Sequence, residues 1–163
     1  MMNDIAAEAG VARQTLYNSF PNKDEVVKAT VRQFGERAVA RFSEDARTGL
    51  TLGEQLDLAY AILSKEPFDV IRSSPHADEL ILGINAAAEA ELAETSKMMC
   101  AVLADVLAPH AANIESRGVS VPVLADYIEA SLKNIKYTAE DAEHLARLYA
   151  ALRAAVLALA AQD

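Results

Sequence analysis

Between positions 12 and 23 stand Arg13, Gln14, Thr15, Tyr17, Asn18 and Lys23, side chains suited to base edges and phosphate oxygens. An arginine fork fits guanine O6 and N7, and a glutamine carboxamide pairs with adenine N6 and N7, so Arg13 and Gln14 suit base readout. Thr15, Tyr17 and Lys23 suit phosphates, which position a protein on a duplex without reading its sequence. Lys23 also lies near the start of the next helix, where backbone N–H groups favour anions. For these groups to act together, one short helix must present its first residues, Ala12, Arg13, Gln14 and Thr15, with Tyr17 and Asn18 further along.

The flanking residues supply such a support. Asp4 to Ala9 reads as a short helix stopped by Gly10, a residue free to take the left-handed conformation. Residues 12–18 form the second helix, ended by Phe20-Pro21. Ile5, Ala9, Val11 and Leu16 make a small shared core, and Ala6 is short enough to let the two helices cross closely. That geometry is a helix-turn-helix, whose second helix enters the major groove. Asn22 and Glu25 then have capping-box spacing. Val27, Val31, Phe34, Ala38 and Phe42 recur every three or four residues, predicting an amphipathic helix of about 25 residues.

The full run resembles the TetR family of transcriptional regulators, on Ile5-Ala6, Ala9-Gly10-Val11, Ala12, Thr15-Leu16-Tyr17, Phe20 and Lys23-Asp24. The resemblance covers roughly residues 4–30. It implies a ligand-responsive DNA-binding regulator, expected to be a repressor, that binds a two-fold symmetric operator as a homodimer. It also implies a further helix before the motif. Met1 and Met2 occupy positions where such proteins usually have a Thr-Val-like pair. Ile5, Val11, Leu16 and Phe34 are therefore expected to lose a neighbour, and this chain is expected to bind DNA less tightly than an extended one.

Composition narrows the rest. Of 163 residues 52% are apolar, and about one in five is alanine, the best helix former. The fold expected is all-α, with a head at 1–46 (reading helices and a connecting lever helix) and an effector-binding and dimerisation domain at 47–163. A net charge of −9 would repel nucleic acid. The first 50 residues, however, carry seven basic and seven acidic groups, so the acidic excess lies entirely beyond them and DNA contact is confined to the head. Lone Cys100 excludes an intramolecular disulfide framework. With neither a signal-like N-terminus nor a long uncharged apolar run, a cytoplasmic protein without membrane contact is expected.

Further helices are expected from Thr51 to about Ser64, then, after a short irregular or helical piece across Phe68–Ser73, from Ser74 to about Leu107 through Leu80, Ile81 and Ile84, and over about 121–136 and 139–161. The last two, joined by a short turn, must pack antiparallel. The final helix carries Ala146, Ala150, Ala151, Ala154, Ala155 and Ala158, which allow close approach of a neighbouring backbone. Two such hairpins would form a four-helix interface about a two-fold axis. Leu124, Ile128, Leu145, Leu148, Tyr149, Leu152, Val156 and Leu159 are the expected contact residues, some of them turned to the subunit's own core. A pocket for an unidentified small effector is expected among Tyr60, Phe68, Ile71, Arg72, Met98, Met99, Val102 and Tyr127, with His76 and Asn85 as further polar handles.

No catalytic constellation is read. His76, His110 and His144 stand apart from one another and from Cys100, so neither metal nor cofactor is expected. Glu89, Glu91 and Glu94 read as a solvated face, and Cys100 as an inert buried thiol. The alternative function is a helical ligand-sensing or interaction protein, derived from such a regulator, that no longer binds DNA.

Overall fold

The computed structural model describes residues 2–73 and 86–161, and every regular element among them is helical. In chain order these are α1 (Met2–Glu8), α2 (Arg13–Ser19), α3 (Lys23–Asp45), α4 (Leu52–Tyr60), a π-helical turn (Ala61–Lys65) and α5 (Glu66–Ser73). There follow α6 (Glu89–Leu107), a 3-10 turn (Ala108–His110), α7 (Ala111–Ser116), α8 (Val121–Thr138) and α9 (Ala142–Ala160). The expected helical stretch through Leu80, Ile81 and Ile84, with His76 and Asn85, lies outside the described residues. The chain divides into two compact units, residues 1–36 with 76–95, and residues 37–75 with 96–163.

In the first unit α1 ends where expected. Gly10 takes φ +66°, Val11 N–H donates to Ala6 C=O at 3.0 Å, and Gly10 N–H donates to Ala7 C=O at 3.2 Å. This paired closure satisfies carbonyls that the helix end would otherwise orphan. Met2, Ala6 and Leu16 form the buried centre, with Ile5, Phe20 and Val26 packed around them. Met2 thus covers Ile5 and Leu16, which do not stand bare as expected. Val11 and Phe34 do: they are 41% and 74% exposed. At the start of α3, Asn22 Oδ1 accepts from Glu25 N–H at 3.0 Å, while the Glu25 carboxylate pairs with Lys28 at 2.8 Å. Further along, a side chain at Gly35 would collide with Thr95, and Arg32 reaches Glu91 at 3.2 Å.

The second unit holds the larger core, built on Phe42, Leu56, Met99, Leu103, Leu107, Ile114, Ile128, Leu132 and Val156, each at most 1% exposed. Thr51 and Glu54 cap α4 reciprocally: the Thr hydroxyl accepts from Glu54 N–H at 3.3 Å, and the Glu carboxylate accepts from Thr51 N–H at 2.8 Å. The break expected near Ser64 is instead a widened turn, and helical backbone continues into α5. Pro67 explains it. Proline has no N–H for the carbonyl four residues back, Leu63. That carbonyl instead accepts from Lys136 Nζ on α8 at 3.0 Å, while Ser64 Oγ donates to Leu132 C=O at 2.6 Å. The loosened turn is thereby bonded to α8 rather than left as a helix end.

Candidate nucleic-acid interface

A seven-residue helix gains little stability from its own hydrogen bonds and depends on what it docks against. α2 docks through Leu16, the one α2 residue that is buried, set against Met2 and Ala6. Every other α2 side chain is exposed, so Arg13, Gln14, Thr15, Tyr17 and Asn18 face solvent as required. Ala12, also exposed, is the N-cap residue with extended backbone (φ −65°, ψ 141°). Lys23 is exposed at the first position of α3.

Two of these side chains hold each other. Gln14 Nε2 donates to Asn18 Oδ1 at 2.9 Å, one turn along the helix. The carboxamide oxygen of Gln14 and the amino group of Asn18 remain on the open face as an acceptor and a donor. This pairing restricts rotamers that would otherwise be lost on binding. The i, i+4 spacing permits such a pair, but only coordinates establish that it forms.

Of the residues expected to line an effector pocket, Tyr60 packs against the cluster of Phe68, and Val102 against the core that holds Met99, so these are gathered as packing side chains. Phe68 is sealed with Ala139 and Leu145 in a satellite core, and its ring lies 5.2 Å from the Arg72 guanidinium. Arg72 is no free ligand handle: its Nη2 donates to the Ala139 and Glu140 carbonyls, each at 2.7 Å, clamping the turn between α8 and α9. Ile71 is half-buried on the same helix. Tyr60 stacks on Tyr149, with ring centroids 4.0 Å apart. Met99 is buried in the main core, Met98 is half-buried, and Tyr127 is 57% exposed. Val102 borders a solvent-open cleft near the end of α6. Side chains sharing a helical period are recruited first by the protomer's core, which a pattern alone cannot distinguish from a pocket wall.

The same competition takes up most of the side chains expected at the contact surface between subunits. Leu124, Ile128, Leu145, Tyr149, Leu152 and Val156 are at most 8% exposed within the single chain, while Leu148 and Leu159 are half-buried. These stripes serve the protomer's own packing, α8 against the π turn and α9 against α4. Tyr149 and Arg153 both donate to the Asp57 carboxylate of α4, Arg153 Nε at 2.8 Å. Burial and this carboxylate hold the Tyr149 hydroxyl well above its ordinary pKa. Outward on the hairpin stand Ala146, Ala150, Ala151, Ala154, Ala155 and Ala158 on α9, and Val123, Tyr127 and Tyr137 on α8, beside exposed polar groups such as Asp126 and Arg147.

His144 accepts from Glu140 N–H through Nδ1 at 3.3 Å, closing the turn before α9. Cys100 is half-buried, and burial raises its thiol pKa, so the thiol is held in its less reactive protonated form. Among the described residues, no helix is long and apolar enough to cross a membrane, and no group of three His, Cys, Asp or Glu side chains could hold a metal ion.

Residues 1–30 match the family model described as bacterial regulatory proteins, tetR family. No curated protein and no solved structure matches the chain.

Proposed function

We propose, on the match of residues 1–30 to the tetR family model, that the chain is a cytoplasmic, effector-responsive repressor that grips a two-fold symmetric operator as a homodimer. The observation that carries this reading is the division of α2 into one buried anchor, Leu16, and an outward polar face of Arg13, Gln14, Tyr17 and Asn18. Arg13 and Gln14 read bases; Thr15, Tyr17 and Lys23 hold phosphates.

A single seven-residue helix reads only a few base pairs, and dimerisation supplies the rest by presenting two helices to half-sites one or more turns apart. The surface for it is the outward side of α8 and α9, where small side chains let a second hairpin approach closely. An effector that binds one arrangement of the dimer better than another shifts operator affinity by that difference alone.

The test is fluorescence anisotropy on duplexes from upstream of the chain's own gene, across a salt series. Binding should weaken steeply with salt. Arg13→Ala should cost about 1–3 kcal/mol and relax preference at one base step. A second reading, a sensor without DNA affinity, draws on the net charge of −9 and on exposed Val11 and Phe34 in the head unit. Stable dimers that ignore every duplex would establish it instead.

A further inference from the structure

The cleft beside Val102 is built by the last residues of α3, the turn into α4, and the end of α6 with the 3-10 turn after it. Its volume, about 530 Å³, suits a small organic ligand. The walls are apolar: Ala46, Leu50 and Leu52 on one side, Val102, Val106 and Pro109 on the other. Three ionisable side chains border it, Arg47, Asp105 and His110. Among the described residues none of the three has a side-chain hydrogen bond or ion pair. Two further polar side chains at the cleft, Thr51 and Gln55, are engaged in part. Thr51 is held in the capping box of α4, and Gln55 Nε2 donates to Ala46 C=O at 2.8 Å, which leaves its carbonyl oxygen as an acceptor.

We propose that this cleft is an effector site for a small amphipathic carboxylic acid bearing a hydrogen-bond donor on its apolar body. The body lies against the apolar walls, where burial supplies non-directional affinity. Arg47 takes the carboxylate, since a planar guanidinium offers two parallel N–H groups to such an acceptor. Asp105 and the free Gln55 oxygen accept from the donor on the body. Among the described residues Arg47 is the one guanidinium at the cleft, and Asp105 repels further negative charge, which restricts the ligand to one carboxylate. The proposal deepens the effector-responsive part of the function proposed above and rests on it only for the consequence at DNA. Ser43 lies in the last turn of α3, the helix that follows α2 in the chain, and Ala46 and Arg47 come directly after it, so a bound acid acts at the end of the element next in sequence to the reading helix.

The probes are 4-hydroxyphenylacetate, its amide and tyramine, which keep one body and change only the head group. They are titrated into the full chain by calorimetry, with saturation-transfer NMR for weak binders. The acid should bind about tenfold tighter than the amide. Arg47→Ala should bring the acid down to the amide's affinity while leaving the amide unchanged, which separates loss of the site from loss of the fold. Arg47→Lys should retain part of the preference, and Asp105→Ala should weaken 4-hydroxyphenylacetate more than phenylacetate. Equal binding of acid and amide, tighter binding of tyramine, indifference of the acid to Arg47→Ala, or no binding by any probe would each overturn the proposal. Binding is read without DNA, so such a failure leaves operator recognition standing, and a chain that ignores DNA yet binds the acid separates the two readings in the other direction.

Discussion

α2 and α9 are both helices with one side committed to packing, yet their open sides differ in kind. On α2 a single leucine is buried, and the outward residues carry donors and acceptors at defined positions. On α9 five residues are buried and, beyond the exposed Glu143–Arg147 ion pair of its first turns, the fully exposed positions are alanine, whose side chains neither donate nor accept. A polar face on a weakly anchored helix can discriminate among partners by hydrogen bonding but contributes little to stability. A bare alanine face can do the reverse: it permits close approach and buries area without specifying much. Exposure alone therefore says nothing of role; the chemistry left on the exposed side does.

The contrast has measurable consequences. Leu152→Ala opens a cavity within the main core and should cost about 2–5 kcal/mol in urea denaturation. Ala150→Glu combined with Ala154→Glu, on the outward side of the same helix, should leave the single-chain fold intact and yield monomers in sedimentation experiments. A persistent dimer would show that the α9 alanines are not the joining surface. Arg13→Ala should show the opposite profile, with an unchanged melting temperature and an operator loss of about 1–3 kcal/mol.

A smaller effect concerns pH. Burial, then the nearby Lys133 charge, lowers the pKa of Lys136 to about 8 from its ordinary 10.5, with Glu129 opposing. Between those values the unfolded chain holds a proton that the folded chain has released, so this group makes stability rise with pH across the window. Below about 8 both states are protonated and the penalty for burying the charge is fully present. Lys136→Met should flatten that slope in denaturation curves taken from pH 8 to 10; an unchanged slope would assign it to other groups. Smallest of all, Thr51→Ala removes half of the α4 capping box and should cost about 1 kcal/mol, read as a small drop in melting temperature.

Local signals were the legible ones. Gly10 announces the bend after α1, Thr51 and Glu54 announce the start of α4, and the polar residues between Arg13 and Asn18 announce an outward polar face; each depends on residues within one turn or two of one another. Two kinds of feature escaped. The stripes on α8 and α9 suit a meeting surface between subunits or the subunit's own core, because periodicity reports that a face is buried but not by what. The grouping of Arg47, Asp105 and His110 had no local signal, since its members come from separate elements and share no spacing.

Pro67 marks where the two sources of order meet. Its missing N–H is a covalent property of the residue, and it deprives the Leu63 carbonyl of the donor that a regular α-helix would give it. Whether the chain stopped there or continued depended on Lys136, more than 70 residues away, reaching that carbonyl at 3.0 Å. Helix content, the turn at Gly10 and the chemistry of the α2 face were determined by the sequence alone, because steric limits and side-chain functional groups act over a few bonds. Which apolar stripe is sealed, which polar groups are spent on carbonyls and which are left open to a ligand were decided only by the tertiary structure, because those outcomes are settled by competition for the same buried volume among segments distant in the chain.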